Sequence, residues 1–186
     1  MISTGDFKNG MTILYDGKLY RILYFQHVKP GKGGAFVRTK LKDLMTGANI
    51  DKTFRAGEKM DQAILETKVM QFLYRDEHYV FMDTKDYEQV RIDEKLIGDQ
   101  KEYLIENMEV SVVFYNGKPI SLELPISIEA KVVDTEPGVK GDTVSAGSKQ
   151  AKIESGAKIM VPLFINKGDM IKVDTRTGEY TTRAST

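Results

Sequence analysis

A lone lysine in a glycine-rich stretch is the residue of this sequence best placed for chemistry. Lys32 stands in HVKPGKGGAF, residues 27–36, with Gly31 before it and Gly33 and Gly34 after it. Glycine admits positive φ and leaves a turn sterically bare, and the proline of this stretch fixes φ at about −65°. The stretch therefore predicts a tight loop that projects the amine of Lys32 from its tip.

Two phosphate-binding motifs contain glycine and lysine, but neither matches this stretch. A Walker A motif places Ser or Thr directly after its lysine, whereas Gly33 follows Lys32. A dinucleotide-binding fingerprint opens a helix, whereas the residues from Phe36 onward alternate like a strand. A hairpin tip also lacks the helix N-terminus that both kinds of site use. We therefore do not predict a nucleotide-binding loop.

Covalent catalysis by Lys32 is not favoured either. Catalytic lysines are activated by burial or by a neighbouring cation, and a lysine on a glycine-rich tip is expected to stay solvated. The chain has no cysteine and only two histidines, His27 and His78, and no His-Glu-x-x-His or serine-triad set can be assembled. We therefore predict no catalytic residue, no metal site and no cofactor, and a protein that is not an enzyme.

Residue chemistry leaves two interpretations of the loop open. In the first, the loop is a probe that carries the amine of Lys32, or a modified lysine, into a crevice lined with RNA. In the second, it is an ordinary surface hairpin in which the lysine supplies solubility.

Charge is unevenly distributed, although 27 basic and 27 acidic residues cancel. Residues 1–63 contain 11 basic and 6 acidic side chains, residues 64–126 contain 7 and 13, and residues 127–186 contain 9 and 8. Five cations and no carboxylate lie between positions 29 and 42, namely Lys29, Lys32, Arg38, Lys40 and Lys42. Such a face attracts phosphate, unless it is plain solvated surface. The acidic middle third is expected to face basic protein rather than RNA.

Composition favours a soluble cytoplasmic protein with no membrane partner. A chain of 186 residues with 41% hydrophobic content suffices for packed cores. The absence of cysteine suits a reducing compartment. The N-terminus lacks the pattern of a secretory signal, and no run approaches the roughly 18 apolar residues of a membrane span.

Period-two alternation predicts an all-β fold of three small β-barrels in a row. In the first domain, residues 1–63, strands are predicted over 12–15, 18–28, 35–44 and 51–54. Asp16-Gly17 is typical of a type I′ hairpin turn. Between 35 and 44, the charged residues Arg38, Lys40 and Lys42 share one face with Phe36.

The second domain, residues 64–126, reads as an OB-like barrel because a short helix within 93–105 interrupts its strands. Those strands are predicted over 64–74, 78–83, 110–115 and 120–124. The third domain, residues 127–186, has predicted strands over 130–135, 158–165, 170–174 and 180–183. Residues 135–151 are rich in Gly, Ser and Thr and are expected to connect the first two of these.

Two well-separated segments resemble the elongation factor P family. HVKPGKGGAFVRTKLKDLMTGANIDKTFRAGEK is similar to its N-terminal domain, and VVDTEPGVKGDTVSAGSKQA with VPLFINKGDMIKVDTRTGEYTTR is similar to its C-terminal signature. The similarity runs from Met1 to about Arg183. Gln150 departs from the proline more usual in the family and is expected to loosen a loop. The resemblance implies an SH3-like (KOW-like) domain followed by two OB-fold domains, in an elongated, tRNA-like arrangement.

The resemblance also implies a function. It implies a monomer that binds ribosomal RNA and ribosomal proteins between the peptidyl and exit sites, contacts peptidyl-tRNA, and relieves stalling at consecutive prolines. Lys32 matches the lysine that carries hypusine in eukaryotic and archaeal relatives, so a lysine-modifying enzyme is an implied partner. The sequence shows the acceptor and not the adduct. The residues matching the loop at the CCA end are Lys29, Pro30, Gly31, Lys32, Gly33 and Gly34.

Other site residues follow from the resemblance or from charge. Gly141, Asp142 and Thr143 match a loop that faces the mRNA codon in the exit site, although residue chemistry alone favours a plain Gly/Asp turn. Tyr180 and Arg183 match a motif that faces RNA of the small subunit. Our own inference from charge adds phosphate contacts by the cations of the strand after the loop, Arg38, Lys40 and Lys42. The competing function is a free-standing β-barrel RNA-binding protein or RNA chaperone.

Overall fold

The computed structural model describes residues 1–137 and 147–184, and within these residues the fold is built from β-strands in three sheets. The chain divides into two compact units, Met1–Thr67 with Val113–Ser121 and Lys68–Val112 with Leu122–Thr186. Helical structure in the described residues is limited to one four-residue α-helix and two 3₁₀ segments. The prediction of an all-β fold is confirmed.

The first sheet holds the N-terminal strands in the antiparallel order β1-β6-β2-β3-β4-β5. Asp16 (φ 50°) and Gly17 (φ 72°) both have positive φ between β2 and β3, as the predicted type I′ turn requires. The core of this sheet includes Phe54, which makes edge-to-face contacts with Phe7 and Tyr15. The strands are β1 (Ile2–Ser3), β2 (Thr12–Tyr15), β3 (Lys18–Val28), β4 (Phe36–Asp43), β5 (Asn49–Arg55) and β6 (Lys59–Gln62).

Strand β6 lies where the apolar pattern lapses, and sequence periodicity missed it. Met60 is its one buried residue, so alternation has nothing to repeat. Its pairing with β1 and β2 nonetheless places it within the first sheet.

The second sheet has the order β11-β10-β7-β8-β9. The predicted helix within 93–105 is present as α1 (Glu94–Ile97), followed by a 3₁₀ segment, Gly98–Tyr103. The core of the second sheet includes Phe72, whose ring centroid lies 5.3 Å from that of Phe81 and 5.9 Å from that of Tyr79. The strands are β7 (Glu66–Arg75), β8 (Tyr79–Asp83), β9 (Gln89–Ile92), β10 (Glu109–Tyr115) and β11 (Lys118–Glu123).

The third sheet has the order β14-β13-β12-β15-β16. When the strands of each sheet are numbered in chain order, both five-stranded sheets have the order 3-2-1-4-5. The first strand, β7 or β12, is central in its sheet. The next two strands (β8 and β9, or β13 and β14) lie on one side of it, and the last two (β10 and β11, or β15 and β16) lie on the other. In the third sheet, β14 also contacts β16, which closes the barrel as in an OB fold. The strands are β12 (Ser127–Thr135), β13 (Ser148–Ile153), β14 (Lys158–Pro162), β15 (Met170–Asp174) and β16 (Glu179–Arg183).

Strand β13 corrects the expectation that residues 135–151 only connect strands. Lys149, Ala151 and Ile153 are buried and alternate with exposed residues, so this is a regular strand despite its flanking glycines and serines. Gln150 therefore lies in a strand and not in a loop. Its carbonyl accepts a hydrogen bond of 3.1 Å from the Thr135 hydroxyl, so the expected loosening of a loop does not apply.

Residues of the segment before β10 pack on the core of the third sheet. Tyr103, Ile105 and Met108 are partly buried against the cluster that contains Ile171 and Val173. Among residues 1–137 and 147–184, no helix is long and apolar enough to cross a membrane.

Candidate functional site

A long hairpin carries the lysine loop. Strands β3 and β4 pair from Tyr20 opposite Asp43 to Val28 opposite Phe36, which spans about 25 Å at the usual rise per residue. Residues 29–35 form the connecting loop beyond the last pair. The hairpin therefore fixes the loop at its end by an antiparallel ladder.

The tip of this loop is sterically bare. Lys29, Pro30, Gly31, Lys32, Gly33 and Gly34 are all exposed. Gly33 has φ +103°, and a Cβ added there would meet only Cγ of Pro30, at 4.0 Å. Within the described part of the chain, the side chain of Lys32 makes no hydrogen bond or ion pair. The loop thus presents an amine that the fold itself does not use.

The base of the loop is held more firmly. The Ala35 carbonyl accepts a hydrogen bond of 3.0 Å from the backbone N–H of Ala56, in the turn after β5. On β3, the ring of Phe25 contacts Phe7 at 6.2 Å and His27 at 5.7 Å, both edge to face. These contacts stabilise the hairpin up to the point where the loop begins.

The outer face of β3, β4 and β5 is basic, and we call it the basic face. The predicted alternation of β4 is confirmed, since Arg38, Lys40 and Lys42 are exposed and the residues between them are buried. Strand pairing brings two more cations to this face, since Arg21 of β3 lies opposite Lys42 and Arg55 of β5 lies opposite Phe36. In the described structure, Asp51, opposite Lys40, is the one carboxylate that strand pairing brings to this face between Arg21 and Arg55.

The cations of the basic face lack ion-pair partners in the part of the chain that the structure describes. Among residues 1–137 and 147–184, no ion pair involves the five side chains Arg21, Arg38, Lys40, Lys42 and Arg55. Arg38 lies over the ring of Phe36, 5.4 Å from its centroid, and Tyr24 is half exposed opposite Lys40. Such a surface has charge for phosphates and an exposed ring for a base.

Sequence reasoning missed two members of this face. A bulge between Ile22 and Tyr24 breaks the alternation of β3, so the direction of Arg21 relative to Tyr24 cannot be read from spacing. Arg55, by contrast, had a usable signal, because it lies two residues from Thr53 on the exposed side of the alternating strand β5.

The two C-terminal residues predicted to belong to the site, Tyr180 and Arg183, both contribute to the fold of the third sheet. Tyr180 is partly buried against its core. Arg183 donates from Nη2 to Oδ1 of Asp169 at 2.7 Å, and that carboxylate is 13% exposed. The side chain of Arg183 remains 57% exposed, and its guanidinium has further N–H donors for an external partner.

A second arginine in this region is also paired. The side-chain hydrogen bond from Arg176 lowers the pKa of Asp174 to about 2, and the backbone N–H of Arg176 adds to the shift. This pair holds the turn between β15 and β16 next to Tyr180.

Three predicted site residues, Gly141, Asp142 and Thr143, lie outside the described residues. Among the residues that are described, no group of three or more His, Asp or Glu side chains is arranged to hold a metal ion.

Three sequence models of one family match the chain in order. They are the elongation factor P KOW-like domain over residues 3–60, the elongation factor P OB domain over residues 65–122 and the elongation factor P C-terminal domain over residues 128–183.

Full-length relatives agree with these matches. The protein named elongation factor P from Moorella thermoacetica is 55% identical to this chain, over 99% of this chain and 100% of the relative. The protein of the same name from Coprothermobacter proteolyticus is 56% identical, over 98% of this chain and 99% of the relative. The protein of that name from Mycobacterium avium is 53% identical over the full length of both chains.

Solved structures agree on the fold. The eukaryotic translation initiation factor 5A from Methanococcus jannaschii is similar with a TM-score of 0.51 and 22% identity, over 65% of this chain and 94% of that one. A translation initiation factor of the same family from Naegleria fowleri has a TM-score of 0.54 and 17% identity, over 66% and 96%. With three family domains in order and relatives more than half identical along its length, the chain belongs to the elongation factor P family of translation elongation factors.

Proposed function

We propose that the chain binds the ribosome between the peptidyl and exit sites and stimulates peptide-bond formation at consecutive prolines. Its Lys32 loop then lies against the CCA end of peptidyl-tRNA. One observation carries the proposal: a lysine without a partner in the described fold stands on a bare tip at the end of a long hairpin. A crevice lined with RNA admits such a tip because glycine adds no side chain around the amine.

The mechanism is one of positioning. Proline is a poor attacking amine and its ring restricts the peptidyl chain, so the productive geometry is rarely sampled. Holding the CCA end in place lowers this entropic barrier without acid–base chemistry by the factor. A ten-fold gain in rate requires about 1.4 kcal/mol, the scale of one or two well-placed polar contacts. The ribosome remains the catalyst, and the factor contributes no catalytic residue or cofactor.

The basic face supplies the affinity for RNA in this proposal. Four of its five cations lie on the outer side of the same hairpin that carries Lys32, and Arg55 lies on the adjacent strand β5. None of the five has an ion-pair partner among the described residues. Phosphate contacts of this kind fix position and orientation but carry no sequence information. Arg38, Lys40 and Lys42 therefore hold the hairpin against RNA while the loop reaches the CCA end.

Modification of Lys32 extends the same mechanism. Adding a polar group to the amine by a lysine-modifying enzyme would lengthen its reach along the CCA backbone. The exposure of the whole loop supports this, because an enzyme needs access to the acceptor. Intact mass of protein purified from its native cell, followed by fragmentation of the peptide around Lys32, identifies the adduct. An unmodified mass in native material contradicts this part of the proposal.

The remaining contacts concern the small subunit. Gly141, Asp142 and Thr143 are proposed to face the mRNA codon in the exit site, on the strength of the family resemblance. Arg183 is proposed to contact RNA of the small subunit with the donors that Asp169 leaves free. The protein is proposed to act as a monomer in the cytoplasm.

Substitution of Lys32 tests the proposal. Because the side chain has no partner in the described fold, Lys32→Ala should leave the free energy of unfolding almost unchanged. It should abolish synthesis through a Pro-Pro-Pro sequence in a reconstituted translation system. Lys59→Ala, which removes another exposed lysine of the first sheet, is the matched control and should retain activity. Full rescue by Lys32→Ala would contradict the role of the loop.

The basic face also favours a second candidate, a free-standing RNA-binding protein or RNA chaperone. That function predicts tight binding to naked single-stranded RNA, with a steep dependence on salt, and little effect of Lys32→Ala. The elongation-factor proposal predicts weak binding to free RNA and a large effect of the same substitution. Parallel titrations with a single-stranded RNA and with ribosomes separate the two.

A further inference from the structure

A groove in the second compact unit lies between the segment that precedes β10 and the start of β12. Its volume is about 380 Å³, and four apolar side chains line it: Ile105, Met108, Pro125 and Ile128. Ile105 and Met108 pack against the core of the third sheet, and Ile128 is part of it. The apolar floor is therefore held by the packing of the fold.

The walls of this groove are acidic, and we call it the acidic groove. Glu106, Glu109 and Glu129 are exposed and line it, and among the described residues no Lys, Arg or His does so. Glu129 pairs with Lys172 at 3.3 Å, whereas Glu106 and Glu109 form no ion pair within the described part of the chain. The neighbouring side chain of Ile126 is 59% exposed.

We propose that the acidic groove binds a basic segment of a protein partner. Charge complementarity identifies the partner's chemistry, because carboxylates around an apolar floor fit lysine or arginine side chains, whose aliphatic stems pack while their charged ends stay at the rim. RNA is disfavoured because its phosphates would be repelled by the same carboxylates. The inference rests on the proposed function in one respect, since it takes the segment to belong to a ribosomal protein.

Photo-crosslinking identifies what covers the acidic groove. Benzoylphenylalanine replaces Ile126 in the full chain, the variant is bound to purified ribosomes, and the products of ultraviolet irradiation are separated into protein and RNA adducts. The proposal predicts a crosslink to a ribosomal protein through a peptide rich in lysine or arginine. A crosslink to ribosomal RNA, or none from a bound factor, overturns it.

Neutralising the rim gives a quantitative test. The variant E106Q/E109Q/E129Q should bind ribosomes about ten-fold more weakly, since each exposed ion pair contributes little and three are removed. The matched control E77Q/E88Q/E102Q makes the same change in net charge at glutamates of the same unit that do not line the acidic groove. Equal affinities of the two variants overturn the proposal.

The two proposals fail in distinguishable ways. A wild-type chain that does not bind ribosomes contradicts both the proposed function and the acidic groove. A chain that binds ribosomes and supports Pro-Pro-Pro synthesis, with no loss of affinity in E106Q/E109Q/E129Q, contradicts the acidic groove alone.

Discussion

Replacing Gly33 by alanine tests whether the backbone conformation of the loop positions the amine of Lys32. With φ at +103°, Gly33 has a conformation that L-residues rarely adopt, and an added Cβ meets nothing closer than Cγ of Pro30 at 4.0 Å. The penalty is therefore conformational and not steric, of order 1–2 kcal/mol. Since no side-chain hydrogen bond of residues 29–34 in the described structure opposes relaxation, the population of the native tip should fall by a factor of about 5–30.

The assay is the rate of Pro-Pro-Pro synthesis in reconstituted translation at subsaturating factor. Gly33→Ala should lower the activity by the same factor, while the unfolding of the first sheet stays cooperative. Gly47→Ala, in the turn between β4 and β5, is the matched control, because Gly47 has φ +75° and an added Cβ meets nothing within 4 Å. It carries a similar conformational penalty outside the lysine loop, so this variant should keep its activity. Equal activity of the two variants would refute the reasoning that the Gly33 conformation aims Lys32.

Three further predictions concern the fold, the basic face and a titrating carboxylate. Phe54→Ala removes a buried ring packed on Phe7 and Tyr15 and should lower the free energy of unfolding by about 3–5 kcal/mol in urea denaturation; a loss below about 1 kcal/mol would contradict this packing. Replacing Arg38, Lys40 and Lys42 of β4 together by glutamine should weaken ribosome binding and reduce the slope of log affinity against log salt concentration by about 2–3. An unchanged slope would exclude phosphate contacts by these three side chains. Arg176→Ala should raise the pKa of Asp174 from about 2 toward its ordinary value, as followed by carboxyl carbon NMR. Because the pKa of Asp174 is lower in the folded than in the unfolded chain, its carboxylate stabilises the wild type at pH values above the unfolded pKa of about 3.9, and this stabilisation is lost as pH falls toward 2. If the pKa of Asp174 stays near 2 in Arg176→Ala, groups other than the Arg176 side chain cause the shift.

Regular alternation made most strands predictable. In β4, the buried residues Val37, Thr39 and Leu41 alternate with charged ones, and the predicted faces are the observed faces. Strand β6 offers only Met60 as a buried residue, so periodicity has no second member to detect. In β13 the alternation is present, but one of its buried positions is Lys149, which a hydrophobic pattern does not count.

The site was predictable where it is local in sequence. The lysine loop follows from proline and glycine within residues 27–36, and its exposure is confirmed. The basic face depends on register across three strands, and the bulge after Ile22 hides how Arg21 aligns with Lys42. The ion pair of Arg183 with Asp169 joins residues 14 positions apart across a turn, and no local spacing rule indicates it.

Single-turnover kinetics test the central claim most directly. With ribosomes stalled before proline addition and saturated with factor, the rate of peptide-bond formation is compared for the wild type and Lys32→Ala, and ribosome affinity is measured alongside. We assign most of the ribosome binding to the basic face. We therefore predict that the variant gives a rate near that without factor and shows only a small loss of affinity. A variant that restores the wild-type rate once ribosomes are saturated would contradict the claim that Lys32 acts at the CCA end.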